Sequence, residues 1–437
     1  MNNIITSLYS KFQAYPIICT DTRIIKKDSI FFALKGDNFN GNQYAKQALE
    51  QGCRYAVIDE PIDGYQENKQ LILVDNVLET LQNLAKYHRK QLKTLIIGIT
   101  GSNGKTTTKE LVNAVLQKKY KTYATVGNLN NHIGVPLTLL SFKPEVEIGI
   151  IEMGANHQGE IALLCAIAQP DYGLITNIGK AHLEGFGGIE GIKKGKGELF
   201  EYIRNGDGKV FINADSKELK TMAEEIPQIG YGKSGKNDIT GKIVAVDPFV
   251  KLRWRTPEEI HLLDEKETIN SALIGTYNFY NILAAITIGH YFNVSDQDIK
   301  EAIESYVPTN NRSQILNTKS NILWLDAYNA NPSSMEAAIN NFSELQTAEK
   351  MLILGDMLEL GDATRGEHQF IVDLVTQKGF HKVYFVGKYF SETNSPFPCF
   401  ENADQCHQFI KTEKIKGKTI LIKGSRGIKL EKIVEAL

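Results

Sequence analysis

A lysine and a threonine directly behind a glycine turn are the side chains that hold nucleotide phosphates, and residues 100–107 read Thr100-Gly101-Ser102-Asn103-Gly104-Lys105-Thr106-Thr107. The apolar run Leu95-Ile96-Ile97-Gly98-Ile99 before them is rich in β-branched residues and reads as a buried strand. Helical spacing follows over 110–116. Strand, glycine loop and helix form the setting a phosphate loop needs. Glycines let backbone N–H groups face an anion, and the helix start adds unpaired N–H groups and a positive dipole end. Lys105 would reach the β- and γ-phosphates, and the Thr106 hydroxyl would be a hard ligand for Mg²⁺. The usual spacing G-x-x-x-x-G-K-[ST] wants glycine at 99, where Ile99 stands. What remains, T-G-x-x-G-K-T, arises by chance in a chain this long less often than about once in a thousand. The plainer alternative is a glycine turn with a solvated lysine.

Other strand ends carry chemistry too. Ile148-Gly149-Ile150-Ile151-Glu152 is apolar and ends in a carboxylate. Ligands of open parallel sheets sit beyond the carboxyl ends of the strands, which would bring Glu152 to an ion held by Thr106; a solvated acid is the alternative. Tyr172-Gly173-Leu174-Ile175-Thr176-Asn177 is a third such strand and delivers Lys180-Ala181-His182. A lone histidine is usually structural, but this one follows a strand aimed at the same edge. Over 188–200 Gly191, Gly195 and Gly197 interrupt a helical pattern at a cost of about 1 kcal/mol each, which predicts close backbone packing. Lys193, Lys194 and Lys196 lie in the same stretch, and the residues alone select none of them. Asn278 and Asn281 share a helix face at i, i+3, one able to cap the helix and the other to read a base edge. Ile322-Leu323-Trp324-Leu325-Asp326 is another strand ending in an acid, before Tyr328-Asn329-Ala330-Asn331 and a helix that Pro332 starts and that runs to 345.

The elements that must position these residues divide into three blocks. A length of 437 residues suits about three domains. Residues 1–90 read as a small α/β domain with a polar hairpin at 35–42. Residues 91–310 alternate strands and helices around a mainly parallel sheet, with antiparallel pairing between about 238 and 274. Residues 311–437 form a second doubly wound, Rossmann-like unit without a dinucleotide glycine fingerprint. The fold class is therefore α/β. With 42% hydrophobic and 23% charged residues the chain is ordinary globular protein, and a net charge of −2 gives no footprint for nucleic acid or an anionic membrane. The N-terminus lacks the basic start and apolar core of a signal peptide, no apolar run approaches spanning length, and the five scattered cysteines suit reduced thiols. These features predict a cytoplasmic protein.

Several stretches together resemble one family in order along nearly the whole chain. T-G-S-N-G-K-T-T-T-K (100–109), E-M-G-A (152–155), T-N-I-G-K-A-H-L-E (176–184), K-G-E-L-F (196–200), G-T-Y-N-F-Y-N (275–281), D-A-Y-N-A-N-P-S-S-M (326–335), L-G-D-M-L-E-L-G (354–361) and L-I-K-G-S-R-G (421–427) are similar to the Mur ligases, the last three most of all to the members that add a dipeptide. The resemblance implies a P-loop ATPase domain in the middle, ATP-dependent joining of D-alanyl-D-alanine to UDP-MurNAc-tripeptide through an acyl phosphate, and action as a monomer. It further implies two Mg²⁺ ions, one on Thr106 and Glu152, the other on His182 and a carboxylated Lys196. Lys105, His182, Lys196 and Arg312 would be the catalytic group. Residues Thr100 to Thr107 and Arg312 would hold the ATP phosphates, Asn278 the adenine and Asp326 the ribose. Tyr328, Asn329 and Asn331 would line the dipeptide side, Asn177 would contact substrate, and Thr22, Arg23 and Lys35 would hold the uridine diphosphate. Departures are Tyr277 where the family often has histidine, Lys180 at an often acidic position, and Asn40-Gly41-Asn42 for a more usual Asp-Gly-His. Competing readings are a ligase adding a single amino acid, of Mur or folylpolyglutamate type, and a P-loop module that binds nucleotide without catalysis.

Overall fold

Parallel strands cannot be joined by tight turns, so every crossover must travel back through a helix; that requirement shapes most of this chain. The computed structural model describes residues 2–259, 267–309, 312–347 and 349–437, so the expected boundary at 310/311 lies outside the described residues. Three main sheets follow one another along the chain, with four, nine and six strands.

The middle sheet is centred on Leu95–Thr100. It pairs in parallel with Ile148–Glu152 on one side and Tyr172–Ile175 on the other. The register sets Ile99 against Glu152 and Thr100 against Ile175, so three strands end at one edge. Lys209–Asn213, Gln228–Gly232 and Ile239–Val246 continue the parallel run, and Phe249–Arg255 and Ile269–Ile274 close it as an antiparallel border. Ile99 is wholly buried inside the strand. The turn begins only at Gly101, which is why glycine is not needed two residues earlier, at Ile99. Gly101 and Gly104 have φ of +141° and +78°. A Cβ there would meet Thr176 Oγ1 at 2.0 Å or Asn281 Oδ1 at 2.7 Å, so both conformation and space demand glycine. The helix Lys105–Leu116 begins immediately after, five residues before the spacing alone indicated.

The glycines of the helix Ile189–Arg204 do pack closely, as expected. A Cβ on Gly191 would strike the Phe186 carbonyl at 1.8 Å, and one on Gly195 the Phe186 ring at 2.4 Å. Phe186 fits only because that helix face is bare.

The N-terminal sheet is parallel throughout, in the order Ile18–Cys19, Ile30–Phe32, Tyr55–Ile58, Leu71–Leu73. The polar hairpin is present as Lys35–Gly36 against Phe39–Asn40. The helix Val77–Gln91 starts at Asn76, whose side chain accepts from Glu79 N at 2.9 Å. Its Leu81, Leu84 and Ala85 are wholly buried in one core that holds Ile30 and Val57 from the first sheet's strands and Val135 and Ile161 from the second's helices. Arg89 closes the same junction, with Nε donating to Ala168 O at 3.0 Å and a terminal nitrogen 3.1 Å from Asp171 Oδ2. The first two blocks are therefore welded by this helix.

The last sheet runs Gln314–Asn317, Ile322–Asp326, Thr419–Lys423, Lys350–Gly355, Val383–Val386, Cys399–Phe400, parallel except for its first strand. Thr419–Lys423 enters between two earlier strands, and Asp326 pairs in register with Lys423. Among the described residues no helix is long and apolar enough to cross a membrane. Leu84→Ala is expected to cost about 2–5 kcal/mol, seen as an earlier calorimetric transition. A melt equal to the parent's would contradict the shared core.

Candidate active site

The loop at 101–104 keeps its shape through the neighbouring strand end. Ser102 N donates to Asn177 O at 3.0 Å, Ser102 Oγ to Gly179 O at 2.9 Å and Thr176 Oγ1 to Asn103 O at 2.7 Å. Asn177 brackets Asn103, accepting from its N–H at 3.1 Å and donating to its carbonyl at 2.9 Å. Lys105 Nζ donates to the carbonyls of Gly101 and Ser102, at 2.6 and 3.3 Å. Burial pushes the Lys105 pKa below the ordinary lysine range, Glu152 opposes that and Arg312 adds to it.

Beside the loop, Thr106 Oγ1 donates to Glu152 Oε2 at 2.9 Å, and Asn130 Nδ2 donates to the other carboxylate oxygen at 2.8 Å. Glu152 is only 1% exposed. Lys109 Nζ lies 4.0 Å from Glu152 and donates to Thr125 O at 2.7 Å. A hydroxyl and a carboxylate facing one point are hard oxygen donors of the kind Mg²⁺ takes. Among the described residues no group of three or more His, Cys, Asp and Glu is arranged to hold a metal by itself, so substrate oxygens and water would have to complete the shell.

All of this opens into a cavity of about 940 Å³. From the middle unit the expected residues Ser102, Asn103, Gly104, Lys105, Thr106 and Thr107 line it, with Glu152, Asn177, His182 and Asn278. From the last unit come Arg312, Asp326, Tyr328, Asn329 and Asn331. Thr100 and Gly101 support the loop from behind without lining the space. Several side chains are engaged within the protein. Asn331 caps the helix Pro332–Glu344 by accepting from Ser334 N at 2.9 Å, and its Nδ2 donates to Asn103 Oδ1 at 2.8 Å. Asn329 Oδ1 accepts from Ala330 N at 2.9 Å. Asp326 receives Lys423 Nζ at 2.5 Å. The Arg312 guanidinium lies over the Tyr328 ring, 3.7 Å from its centre.

The pair Asn278 and Asn281 behaves differently from the expectation, since neither side chain caps the helix Asn278–Tyr291. Asn278 Nδ2 donates to Ile274 O at 2.8 Å and Asn278 Oδ1 accepts from Asn281 Nδ2 at 2.8 Å. Asn281 in turn accepts from Thr108 at 3.1 Å and fills the space beside Gly104. Its purpose is to shape the phosphate loop. Tyr277 shares a hydrogen bond with Ser313 at 2.9 Å, and burial pushes its phenol pKa up.

Lys196 stands just behind the cavity, 1% exposed, with Nζ donating to Ala155 O at 3.1 Å and lying over the Phe186 ring. Burial, helped by the charge of Lys105, pulls its pKa down to about 7. Lys196 is thus singled out from its neighbours: Lys193 is ion-paired to Glu190 and Glu218. His182 does line the cavity, but its Nδ1 is hydrogen-bonded to Glu359, which holds that carboxyl's pKa below the usual range. No hydrogen bond joins His182 to Lys196.

Thr22, Arg23 and Lys35 are not brought to this cavity. The Arg23 side chain is 86% exposed and forks onto Asp21, while Lys35 Nζ sits 2.9 Å from Asp59 and 2.8 Å from Glu60. Four residues of the site escaped the sequence reading. Lys423 carried the same signal as Glu152, a charge at a strand end, and Glu359 lay in a quoted but unassigned stretch. Asn130 and Lys109 had no signal beyond an asparagine-rich turn and an ordinary helical lysine.

Family models match three consecutive stretches: "Mur ligase family, catalytic domain" over residues 15–89, "Mur ligase middle domain" over 99–289, and "Mur ligase, glutamate ligase domain" over 311–426. The UDP-N-acetylmuramoyl-tripeptide–D-alanyl-D-alanine ligase of Bacillus subtilis is 36% identical, with 96% of this chain and 92% of that protein covered. The Escherichia coli protein of the same description is 32% identical over 96% and 93%. Among solved structures, MurF from Acinetobacter baumannii superposes with a TM-score of 0.83 at 30% identity, covering 96% of this chain and 92% of that one.

The depressed lysine has a consequence for stability. Unfolded Lys196 keeps its ordinary value and binds more protons than the folded form between pH 7 and the ordinary lysine range, so it makes stability rise with pH across that window. Lys196→Met is therefore expected to melt higher than the parent by a margin that is largest below pH 7 and shrinks towards pH 10. A margin independent of pH would contradict a depressed lysine.

Proposed function

The chain belongs to the Mur ligase family, and on that premise we propose that it joins D-alanyl-D-alanine to the terminal carboxylate of UDP-MurNAc-tripeptide with hydrolysis of ATP to ADP and phosphate. The observation that carries the reading is the single cavity in which Ser102–Thr107, Glu152 and His182 meet Arg312, Asp326 and Tyr328. Relatives named for this reaction cover the same length of chain, which favours a dipeptide acceptor over a single amino acid. A module that only binds nucleotide would have no use for the second wall of that cavity.

The chemistry follows from charge. A carboxylate and a triphosphate repel, so the donor can attack the γ-phosphate only where fixed positive charge and N–H groups outweigh the repulsion. Lys105, the loop N–H groups at the start of Lys105–Leu116 and Arg312 supply it. Lys105 leaves the carbonyls of Gly101 and Ser102 for the phosphates when nucleotide enters. The donor oxygen bonds to the γ-phosphorus, the bond to the β-bridging oxygen breaks, and ADP leaves. The acyl phosphate is then attacked by the neutral amine of the dipeptide; the amide forms, phosphate leaves with the donor's oxygen, and the amine loses a proton. Activation thereby divides one hard step into two easier ones.

Thr106 and Glu152 would hold one Mg²⁺, and His182 with a carboxylated Lys196 a second. When bound, the ions neutralise charge on the phosphate oxygens. A pKa near 7 leaves about half of Lys196 as free amine at neutral pH, against about one molecule in a few thousand for an unperturbed lysine. That amine takes up CO₂ and releases one proton. Asn278 faces the adenine, Asp326 the ribose, and Tyr328, Asn329 and Asn331 the acceptor, with Asn177 against substrate. Residues 1–90 hold the nucleotide-sugar end of the donor through Thr22, Arg23 and Lys35; 91–310 bind ATP and 311–437 the dipeptide. The enzyme works as a cytoplasmic monomer, where ATP and a nucleotide-linked donor are present.

ADP release with the UDP-muramoyl-tripeptide donor is expected to depend on D-alanyl-D-alanine and to show no stimulation by single amino acids; stimulation by a single amino acid alone would overturn the assignment. Lys196→Ala is expected to lose ligation and to regain part of it with short carboxylates such as formate or acetate. Full activity in that variant would remove the carbamate and leave the rest standing.

A further inference from the structure

An incoming dipeptide arrives with two charged ends, of which the amine reacts and the carboxylate has only to be held. Two residues of extended chain span about 7 Å, so the group that holds the carboxylate belongs at the mouth of the cavity, away from the phosphates. The cations available there are few. Lys105, Arg312 and Lys423 are the lysines and arginines that line the cavity among the described residues. Lys105 rests on loop carbonyls and Lys423 on Asp326. Lys180, beside His182, is committed to Glu367 at 2.5 Å.

Two guanidiniums converge on one ring. The Cζ atoms of Arg312 and Arg426 lie over Tyr328 at 3.7 and 5.3 Å from its centre. The Arg312 charge is felt at Lys105, which ties it to the phosphate side. Arg426 does not line the cavity, is exposed, and its side chain makes no hydrogen bond or ion pair among the described residues. Its backbone is nevertheless held firmly. It begins the short turn Arg426–Ile428 directly after the buried Ser425, whose N–H donates to Asp356 O at 3.1 Å and whose Oγ accepts from Leu358 N at 3.0 Å. A Cβ on Gly424 would come within 2.9 Å of Gly355 Cα. The turn thus projects a guanidinium, with no anionic partner among the described residues, beside the aromatic ring that bounds the acceptor side.

We propose that Arg426 is the anchor for the carboxylate of the incoming dipeptide. Its planar fork would take both carboxylate oxygens, a geometry lysine cannot reproduce, and the Tyr328 ring keeps the guanidinium oriented between turnovers. Arg312 and Arg426 then share Tyr328 as a common support, one turned to phosphate and the other to the acceptor. The inference rests on the ligase reading above.

The experiment compares D-alanyl-D-alanine with its C-terminal carboxamide as acceptors, at saturating ATP and donor, for the parent, Arg426→Ala, Arg426→Gln and Arg426→Lys. The parent is expected to favour the free acid by about 10- to 100-fold in kcat/KM, the scale of a lost charge-assisted pair. Arg426→Ala and Arg426→Gln should raise the dipeptide KM by about 10- to 100-fold, leave the KM for ATP and donor within about twofold, and bring acid and carboxamide to equal use. Arg426→Lys should keep part of the preference. The glutamine variant retains most of the stem, so the readout survives if alanine disturbs the turn. A parent that uses the carboxamide as well as the acid, or variants that keep the preference, overturns the proposal. A parent that turns over with neither peptide overturns the ligase reading instead.

Discussion

The whole site depends on one constraint: Leu95–Thr100 lies in parallel between Ile148–Glu152 and Tyr172–Ile175, so that three strand ends arrive at one edge with fixed register. Parallel pairing gives the edge its polarity. The N–H groups of the following helix face the same way as the side chains at the strand ends, and the glycine loop needs only four residues to join them. Thr106 and Glu152 then meet without distortion. A slip of one residue would turn Glu152 into the apolar core, where it could find neither Thr106 nor Asn130. The neighbouring segment 176–179 grips the loop through the Thr176 and Asn177 side chains and the Gly179 carbonyl, so the phosphate cradle is held in shape by the protein itself.

On that edge the last unit supplies the opposite wall. Its links to the middle unit combine polar bonds with an apolar contact: Asn331 on Asn103, Lys180 N–H on Ser333 at 3.0 Å, Lys180 on Glu367 and Thr276 on Asn341 at 2.8 Å, beside Ile274, Leu183 and Phe249 packed into the last unit's core. Such exchangeable bonds suit a wall that must move apart to admit substrates and return to exclude water. The first unit is joined differently, through the apolar helix Val77–Gln91 and the buried Arg89. The first junction is thus a continuous buried core, whereas the second, where the chemistry sits, relies more on polar bonds.

Legibility in the sequence followed the strength of the local signal. Glycines, strand-end charges and apolar runs placed the phosphate loop, Glu152, His182, Asp326 and the three strands that meet at the loop, because each rests on a rule that holds over a few residues. Short edges such as Thr122–Ala124 and Cys399–Phe400 were not legible; strands of three and two residues carry no period. The expected helix cap was misjudged for a related reason. Whether Asn281 caps a helix or packs on Gly104 is decided by the start of a helix whose Thr108 lies 173 residues away, which no local pattern contains. Lys196 could not be told from Lys193 and Lys194 by spacing, and only its burial beside Phe186 and Lys105 distinguishes it.

At this edge a peptide acid becomes reactive once its oxygen is placed on phosphorus, before the amine arrives. Donor carrying ¹⁸O in both oxygens of its terminal carboxylate tests that directly when it is turned over with ATP and the dipeptide. One labelled oxygen is expected in the phosphate released for each amide formed. Phosphate free of label, with amide formed at the normal rate, would contradict it.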